Sequence, residues 1–256
     1  MKKNKFAMIG FAAIALSVVS FNTVASAVPT NADVQFEIDD DSTIGEVIKP
    51  GTPELIITPE EGGSTTGPLR INHVPYMHFG TQKISTAKKV YHPTVERYTE
   101  GIEVKYIPHF VQVADARGSM TATWKLTVSG TVFSPTVSTT NPKLNNTYIS
   151  LDQGTITNNY YDEQLPVETA NILSGIGATK IIPTSGGSLD VLQVQAGKNT
   201  NSTISSIVLA DGYNESTPYT ETDLNSGVSL HVPTNDIKVN GEKYESTLTW
   251  TLADSI

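Results

Sequence analysis

Two stretches indicate how this chain folds: MTATWKLTVSG at residues 120–130 and STLTWTL at residues 246–252. Each contains one of the two tryptophans of the chain, and each tryptophan is followed two positions later by a leucine. Apolar residues occupy alternate positions in both stretches, with threonine at most of the positions between them. Alternation with a period of two is typical of a half-buried β-strand. In each predicted strand the tryptophan and the leucine share one sheet face.

Short β-prone runs continue from residue 68 to the end of the chain, separated by turn signals such as Ser129-Gly130, Asp211-Gly212 and Asn240-Gly241. No segment carries a long helical period; only residues 168–173, followed by Gly175, are compatible with a short helix. The sequence therefore predicts an all-β domain, a sandwich or flattened barrel. Because sandwiches often bring a terminal strand beside a much earlier one, we expect the two tryptophan strands to pair.

The N-terminus is typical of a secretory signal peptide. Lys2, Lys3 and Lys5 precede an apolar run at residues 6–19, and Ala25-Ser26-Ala27 is a small-residue cleavage site. We therefore expect residues 1–27 to be removed and the protein to be secreted. The apolar run is short for a stable membrane span and no second candidate follows, so no span is expected in the mature chain.

Residues 28–67 are predicted to form an extended acidic arm before a domain at 68–256. Proline, glycine and like charges, including Asp39-Asp40-Asp41, bury too little apolar surface to offset the entropy cost of ordering. The acidic cluster lacks the ligand spacing of a calcium loop, so a solvated linker is the favoured interpretation.

Composition narrows the class of partner. The chain has no cysteine, which excludes disulfides and lipid attachment at a cysteine. Its net charge is −9, and cleavage would remove three lysines and make it more acidic still. Binding to nucleic acid or anionic lipid is therefore not expected, because such binding depends on Lys and Arg. Attachment to an anionic surface would depend on short-range stacking, hydrogen bonds and shape.

Several segments together resemble the WxL domains of surface proteins from low-GC Gram-positive bacteria. In the order of that family they are Leu69 to Gly80, Asp115-Ala116-Arg117-Gly118 before the first tryptophan, residues 228–233, and the closing strand with Trp250. The resemblance implies noncovalent retention on the cell wall through this domain. It also implies production beside a membrane-anchored partner protein, and the direct ligand could be peptidoglycan, another wall polymer or that partner.

The candidate ligand-binding residues are Trp124, Leu126, Trp250, Leu252, Asp115 and Arg117. Each tryptophan could belong to the core or to an exposed aromatic platform, and the residues alone leave both open. Asp115 and Arg117 share a strand face and could form a charge-assisted contact, with Gly118 turning the chain. This segment could equally be only a tight turn. We expect the two motifs to lie close together, with both leucines packing inward.

No catalytic motif, metal-ligand spacing or cofactor fingerprint is recognisable, so we expect neither an enzyme nor a cofactor. The chain also shows no sorting signal or apolar tail after Leu252, which favours noncovalent retention. The leading hypothesis is a secreted wall-binding protein. The alternatives are an interaction subunit that docks on a membrane-anchored partner and, less favoured, a host-matrix adhesin.

Overall fold

The structure is a computed structural model that describes residues 33–38, 44–160 and 166–255. The predicted signal peptide and the acidic cluster Asp39-Asp40-Asp41 lie outside the described residues. The chain divides into two compact units, Met1–Phe36 and Glu37–Ile256. In the first unit the described residues, 33–36, have no regular secondary structure. All described strands lie in the second unit.

The regular secondary structure described in the second unit is almost all β-strand, in strands of two to eight residues. In chain order the described elements are β1 (Val47–Ile48), β2 (Ile56–Pro59), β3 (Leu69–His73), β4 (Lys89–Tyr91), β5 (Glu96–Glu100), β6 (Glu103–Ile107), β7 (Phe110–Asp115), β8 (Thr123–Gly130), β9 (Ser134–Pro135), β10 (Tyr148–Leu151), β11 (Thr155–Asn158), α1 (Pro166–Ile172), β12 (Leu173–Gly175), β13 (Lys180–Ile181), β14 (Leu189–Val194), β15 (Thr203–Val208), β16 (Val228–Val232), β17 (Tyr244–Glu245) and β18 (Leu248–Ser255).

The strands pair antiparallel in several small sheets, which confirms the all-β class predicted from the sequence. The sheet orders are β1-β2-β5-β6, β13-β10-β16-β4, β11-β15-β7-β3, β12-β14-β8-β18 and β17-β9. One apolar core collects side chains from three of these sheets, including Val113, Leu126, Leu151 and Leu192. The inward faces of the sheets therefore pack together, as expected when each sheet has one apolar face.

The two tryptophan strands, β8 and β18, are hydrogen-bonded neighbours along their whole length. Leu252 lies opposite Leu126 and Trp250 lies opposite Val128. Directly opposite residues project from the same face of an antiparallel sheet. The predicted long-range pairing and the predicted proximity of the two motifs are both confirmed.

Part of the segment predicted as an extended arm is folded. Strands β1 and β2 join β5 and β6, and Ile48 and Ile57 are buried. Ile57 belongs to a second apolar cluster, and the amide of Gln112 bonds to the backbone N–H and C=O of Ile48 at 3.1 and 2.8 Å. The structure differs from the predicted arm at residues 47–59 because one residue of each short apolar pair, Ile48 and Ile57, is buried there. The Pro and Gly residues between them form the connecting turn.

Helix α1 covers seven residues. It overlaps residues 168–173, the segment whose sequence is compatible with a short helix. Within the described ranges, no helix combines the length and apolar character needed to cross a membrane.

Candidate functional site

One face of the first motif strand is fully buried, and the strand lies inside its sheet. Strand β8 has β14 on one side and β18 on the other. Its apolar face, with Trp124 and Leu126, points into the main core, and these side chains are only 1% and 0% exposed. Trp124 and Leu126 therefore stabilise the domain, and neither presents a surface to a ligand in this structure.

The second motif strand is the edge of the same sheet. Trp250 and Leu252 pack against the main core but remain partly exposed, because no strand follows β18 in the sheet order. Thr249 and Thr251, on the opposite face, are exposed. Identical alternation thus gives one buried and one partly exposed tryptophan, and the difference comes from strand position.

The backbone of β18 also has a free side. The N–H of Thr131 donates to the C=O of Thr247 at 3.0 Å, which makes these residues a hydrogen-bonded pair. Hydrogen-bonded and non-bonded pairs alternate in an antiparallel ladder. The N–H and C=O groups of Trp250 and Leu252 therefore point away from β8, towards the side where the described residues supply no further strand.

Asp115 and Arg117 form the charge-assisted contact that their spacing suggested. Arg117 donates from Nε to Asp115 Oδ1 at 2.9 Å and from Nη2 to Asp115 Oδ2 at 2.8 Å. The side chains are 3% and 10% exposed, so the pair is largely removed from water. Gly118 follows with φ of 69°, a conformation that glycine adopts without strain. The segment is therefore both a turn and a buried ion pair.

This ion pair connects the two motif strands. Arg117 Nη1 bonds to the carboxylate of Asp254 on β18 and donates to the C=O of Thr123 on β8 at 3.3 Å. On its other side, Asp115 accepts from Thr200 Oγ1 at 3.3 Å. Thr200 Oγ1 in turn accepts from the indole N–H of Trp124 at 2.7 Å. One polar network therefore holds the buried indole and the edge strand in fixed positions.

The protonation state of this network is set by its charges. The hydrogen bonds that Arg117 donates to Asp115, with the charges of Asp115 and Asp254, raise the pKa of Arg117 although burial opposes this. The guanidinium therefore stays protonated at any physiological pH. Arg117 therefore supplies a permanent positive charge to the network.

The structure brings all six candidate residues into one region but gives them different environments. Trp124, Leu126 and Asp115 are buried, Arg117 is largely covered, and Trp250 and Leu252 keep exposed surface. A ligand role remains a prediction for each of them.

Two further residues of the network, Thr200 and Asp254, were not singled out from the sequence. Asp254 carries a signal, since it has the parity of Leu248, Trp250 and Leu252 and so places a charge on an apolar face. Thr200 carries none.

The sequence model of one protein family, described as WxL domain surface cell wall-binding, matches residues 23–255. The match covers nearly the whole chain and includes both tryptophan strands and the polar network that joins them. No curated protein and no solved structure gives a significant match.

Proposed function

Since the chain belongs to the WxL family of surface cell wall-binding domains, we propose that it is a secreted, non-catalytic protein held noncovalently on the cell wall by binding peptidoglycan. The family is a surface-binding family, and wall association follows from membership. The finer proposal is that Trp250 and Leu252 contact the ligand, while Trp124, Leu126, Asp115 and Arg117 hold β18 in place. The observation that carries it is the partly exposed indole on an edge strand fixed by a buried network.

The chemistry of this edge fits a saccharide chain. An indole offers a flat apolar surface on which sugar rings stack, and the adjacent isobutyl group of Leu252 widens that surface. The exposed N–H and C=O groups beside them supply hydrogen bonds for hydroxyl and amide groups. Such contacts act at short range, which suits an acidic protein on an acidic wall.

We expect the secreted protein, residues 28–256, to co-sediment with purified sacculi from which phosphate polymers have been removed. Because the contacts are short-range, the bound fraction should change little between low and high salt. The check is a sedimentation assay with the bound fraction measured at both ionic strengths. Failure to sediment at either would refute direct peptidoglycan binding.

Trp250→Ala should reduce this bound fraction severalfold while leaving the fold intact, because the side chain lies at a sheet edge and is only partly buried. The matched control is Tyr106→Ala, another partly buried aromatic residue on an edge strand, β6, of a different sheet. Sedimentation and melting temperature should be measured for both variants. Equal retention of the Trp250→Ala variant and the wild type would contradict the assignment of the contact.

A second candidate function is favoured by the free backbone of β18. An exposed strand edge can pair with an extended segment of another protein, which adds a strand to the sheet. A membrane-anchored partner could use this edge, and the protein would then be retained on cells without binding peptidoglycan. Retention on intact cells combined with no binding to purified sacculi would favour this candidate.

A further inference from the structure

Residues 62–95 are one of several stretches of this acidic chain that contain no acidic residue. Residues 62–95 contain Arg70, Lys83, Lys88 and Lys89 but no Asp or Glu, although the whole chain has 26 acidic and 17 basic residues. Overall net charge governs long-range repulsion, whereas a local group of like charges governs what binds beside it. This stretch is therefore a candidate site for an anionic ligand.

The structure places two lysines of this stretch, Lys83 and Lys89, on the lining of an open groove, and Lys88 adjoins Lys89 in the chain. The loop at 81–86 faces β4, the edge strand of its sheet, and Lys83, Ile84, Thr86, Lys89 and Tyr91 are among the lining residues. Gln82 Nε2 donates to the C=O of Phe79 at 2.6 Å, and Ala87 N–H donates to Ser85 Oγ at 3.0 Å. These bonds give the loop a defined shape around its charges.

The charges of this groove are not neutralised within the protein. Lys83, Lys88 and Lys89 are exposed, and no described Asp or Glu forms an ion pair with them. In contrast, Lys105, Lys125 and Arg117 each contact a carboxylate. An unpaired ammonium group keeps its full attraction for an incoming anion.

Lys88 also acts on the neighbouring strand. His231 on β16 lies opposite Val90 of β4, and its ring stacks on Tyr148 with centroids 4.6 Å apart. Burial lowers the pKa of His231, and the positive charge of Lys88 lowers it further. Lys88 precedes β4 and has the parity of Val90, so it adds a positive charge beside the groove, while the carboxylate of Asp152 acts on the pKa of His231 in the opposite direction.

We propose that this groove, which we call the lysine groove, binds a phosphate-rich polymer of the cell wall. Lysine binds phosphate as a compact point charge, and residues 80–91 supply lysines and no acidic residue. An open groove with repeated cations suits a chain with repeated charges. The inference rests on wall association but concerns a surface and a ligand distinct from those assigned to Trp250.

The test uses a fluorescently labelled sodium polyphosphate as the probe and measures its anisotropy with the secreted protein. Combined replacement of Lys83, Lys88 and Lys89 by glutamine should weaken binding at low salt at least tenfold. It should also make the plot of log affinity against log salt concentration less steep by about two to three. Each phosphate contact contributes about 0.7–0.9 to the steepness of that plot. The matched control replaces Lys143, Lys180 and Lys198 by glutamine, because these lysines are also exposed and form no ion pair with a described carboxylate. The control should bind within twofold of wild type.

Equal loss in both triple variants, or no measurable binding by wild type, would overturn the proposal. A second arm uses sacculi that retain their phosphate polymers, on which the lysine triple variant should be retained less than the control. A third arm uses phosphatidylglycerol vesicles, to which no binding is expected. Vesicle binding that requires the three lysines and exceeds polyphosphate binding would overturn the assignment to a wall polymer. Failure of the peptidoglycan proposal can be distinguished from failure of this one, because it is measured as lost binding to phosphate-free sacculi.

Discussion

Trp124→Ala should lower the free energy of unfolding by about 3–5 kcal/mol, because it removes the largest fully buried side chain of the described core. It also leaves the hydroxyl of Thr200 without the indole N–H that donates to it at 2.7 Å. Domains of this size are stable by only about 5–15 kcal/mol, so the loss is a large share of the total. Binding to the wall should fall only as far as the folded fraction falls.

Urea denaturation followed by circular dichroism measures this effect. Trp124→Phe is the matched control, because it keeps an aromatic ring in the core and loses the hydrogen bond and part of the volume. It should cost clearly less than the alanine substitution. A Trp124→Ala protein that unfolds at the same urea concentration as wild type would show that the indole is not part of the core.

Arg117→Met should cost about 3–5 kcal/mol, because it leaves the carboxylate of Asp115 buried without its counter-charge. The same change removes the contacts of the guanidinium with Asp254 and with the backbone of Thr123. The domain should therefore lose stability, and the end of β18 should also become more mobile. Denaturation and hydrogen exchange of the β18 amides report these two consequences separately.

Asp254→Asn is the matched control for the Arg117 substitution. Its carboxylate is 46% exposed, so its ion pair is screened by water and should contribute about 1 kcal/mol or less. An Asp115→Asn/Arg117→Met double variant should be more stable than Arg117→Met alone, since no buried charge is left unpaired. If the losses of stability caused by Asp115→Asn and by Arg117→Met simply added in the double variant, the two side chains would not act as a unit.

The sequence was most informative where alternation was strongest. The parity of residues 122–128 identified the buried face of β8, and the same parity placed Trp250 and Leu252 on the corresponding face of β18. Alternation cannot distinguish a central from an edge strand, because the order of strands is set by contacts between distant segments. The different burial of Trp124 and Trp250 was therefore left open until the sheet order was known.

Local composition was misleading at the N-terminal side of the domain. Val47-Ile48 and Ile56-Ile57 are short apolar pairs among Pro, Gly and acidic residues, and by themselves they bury little surface. Their stability comes from β5 and from the amide of Gln112, which are remote in sequence. The boundary at residue 68 and the extended state of residues 28–46 remain predictions.

The candidate site was predictable only in part for a related reason. Asp115 and Arg117 are neighbours in sequence, so their contact could be foreseen from strand geometry. Thr200 and Asp254 join them from positions 85 and 137 residues away from their respective partners. A single threonine or aspartate has no periodicity that reveals such a partner, so only the folded chain identifies the complete network.

The central claim is that one indole supports the domain and the other contacts the wall. Acrylamide quenching of tryptophan fluorescence tests it most directly, because Trp124→Phe leaves only Trp250 to report and Trp250→Phe leaves only Trp124. We expect Trp250 to be quenched in the free protein and protected when solubilised peptidoglycan fragments are added to saturation. Trp124 should resist quenching in both conditions. Quenching of Trp124 in the free protein, or of Trp250 to the same extent with and without the fragments, would contradict the account.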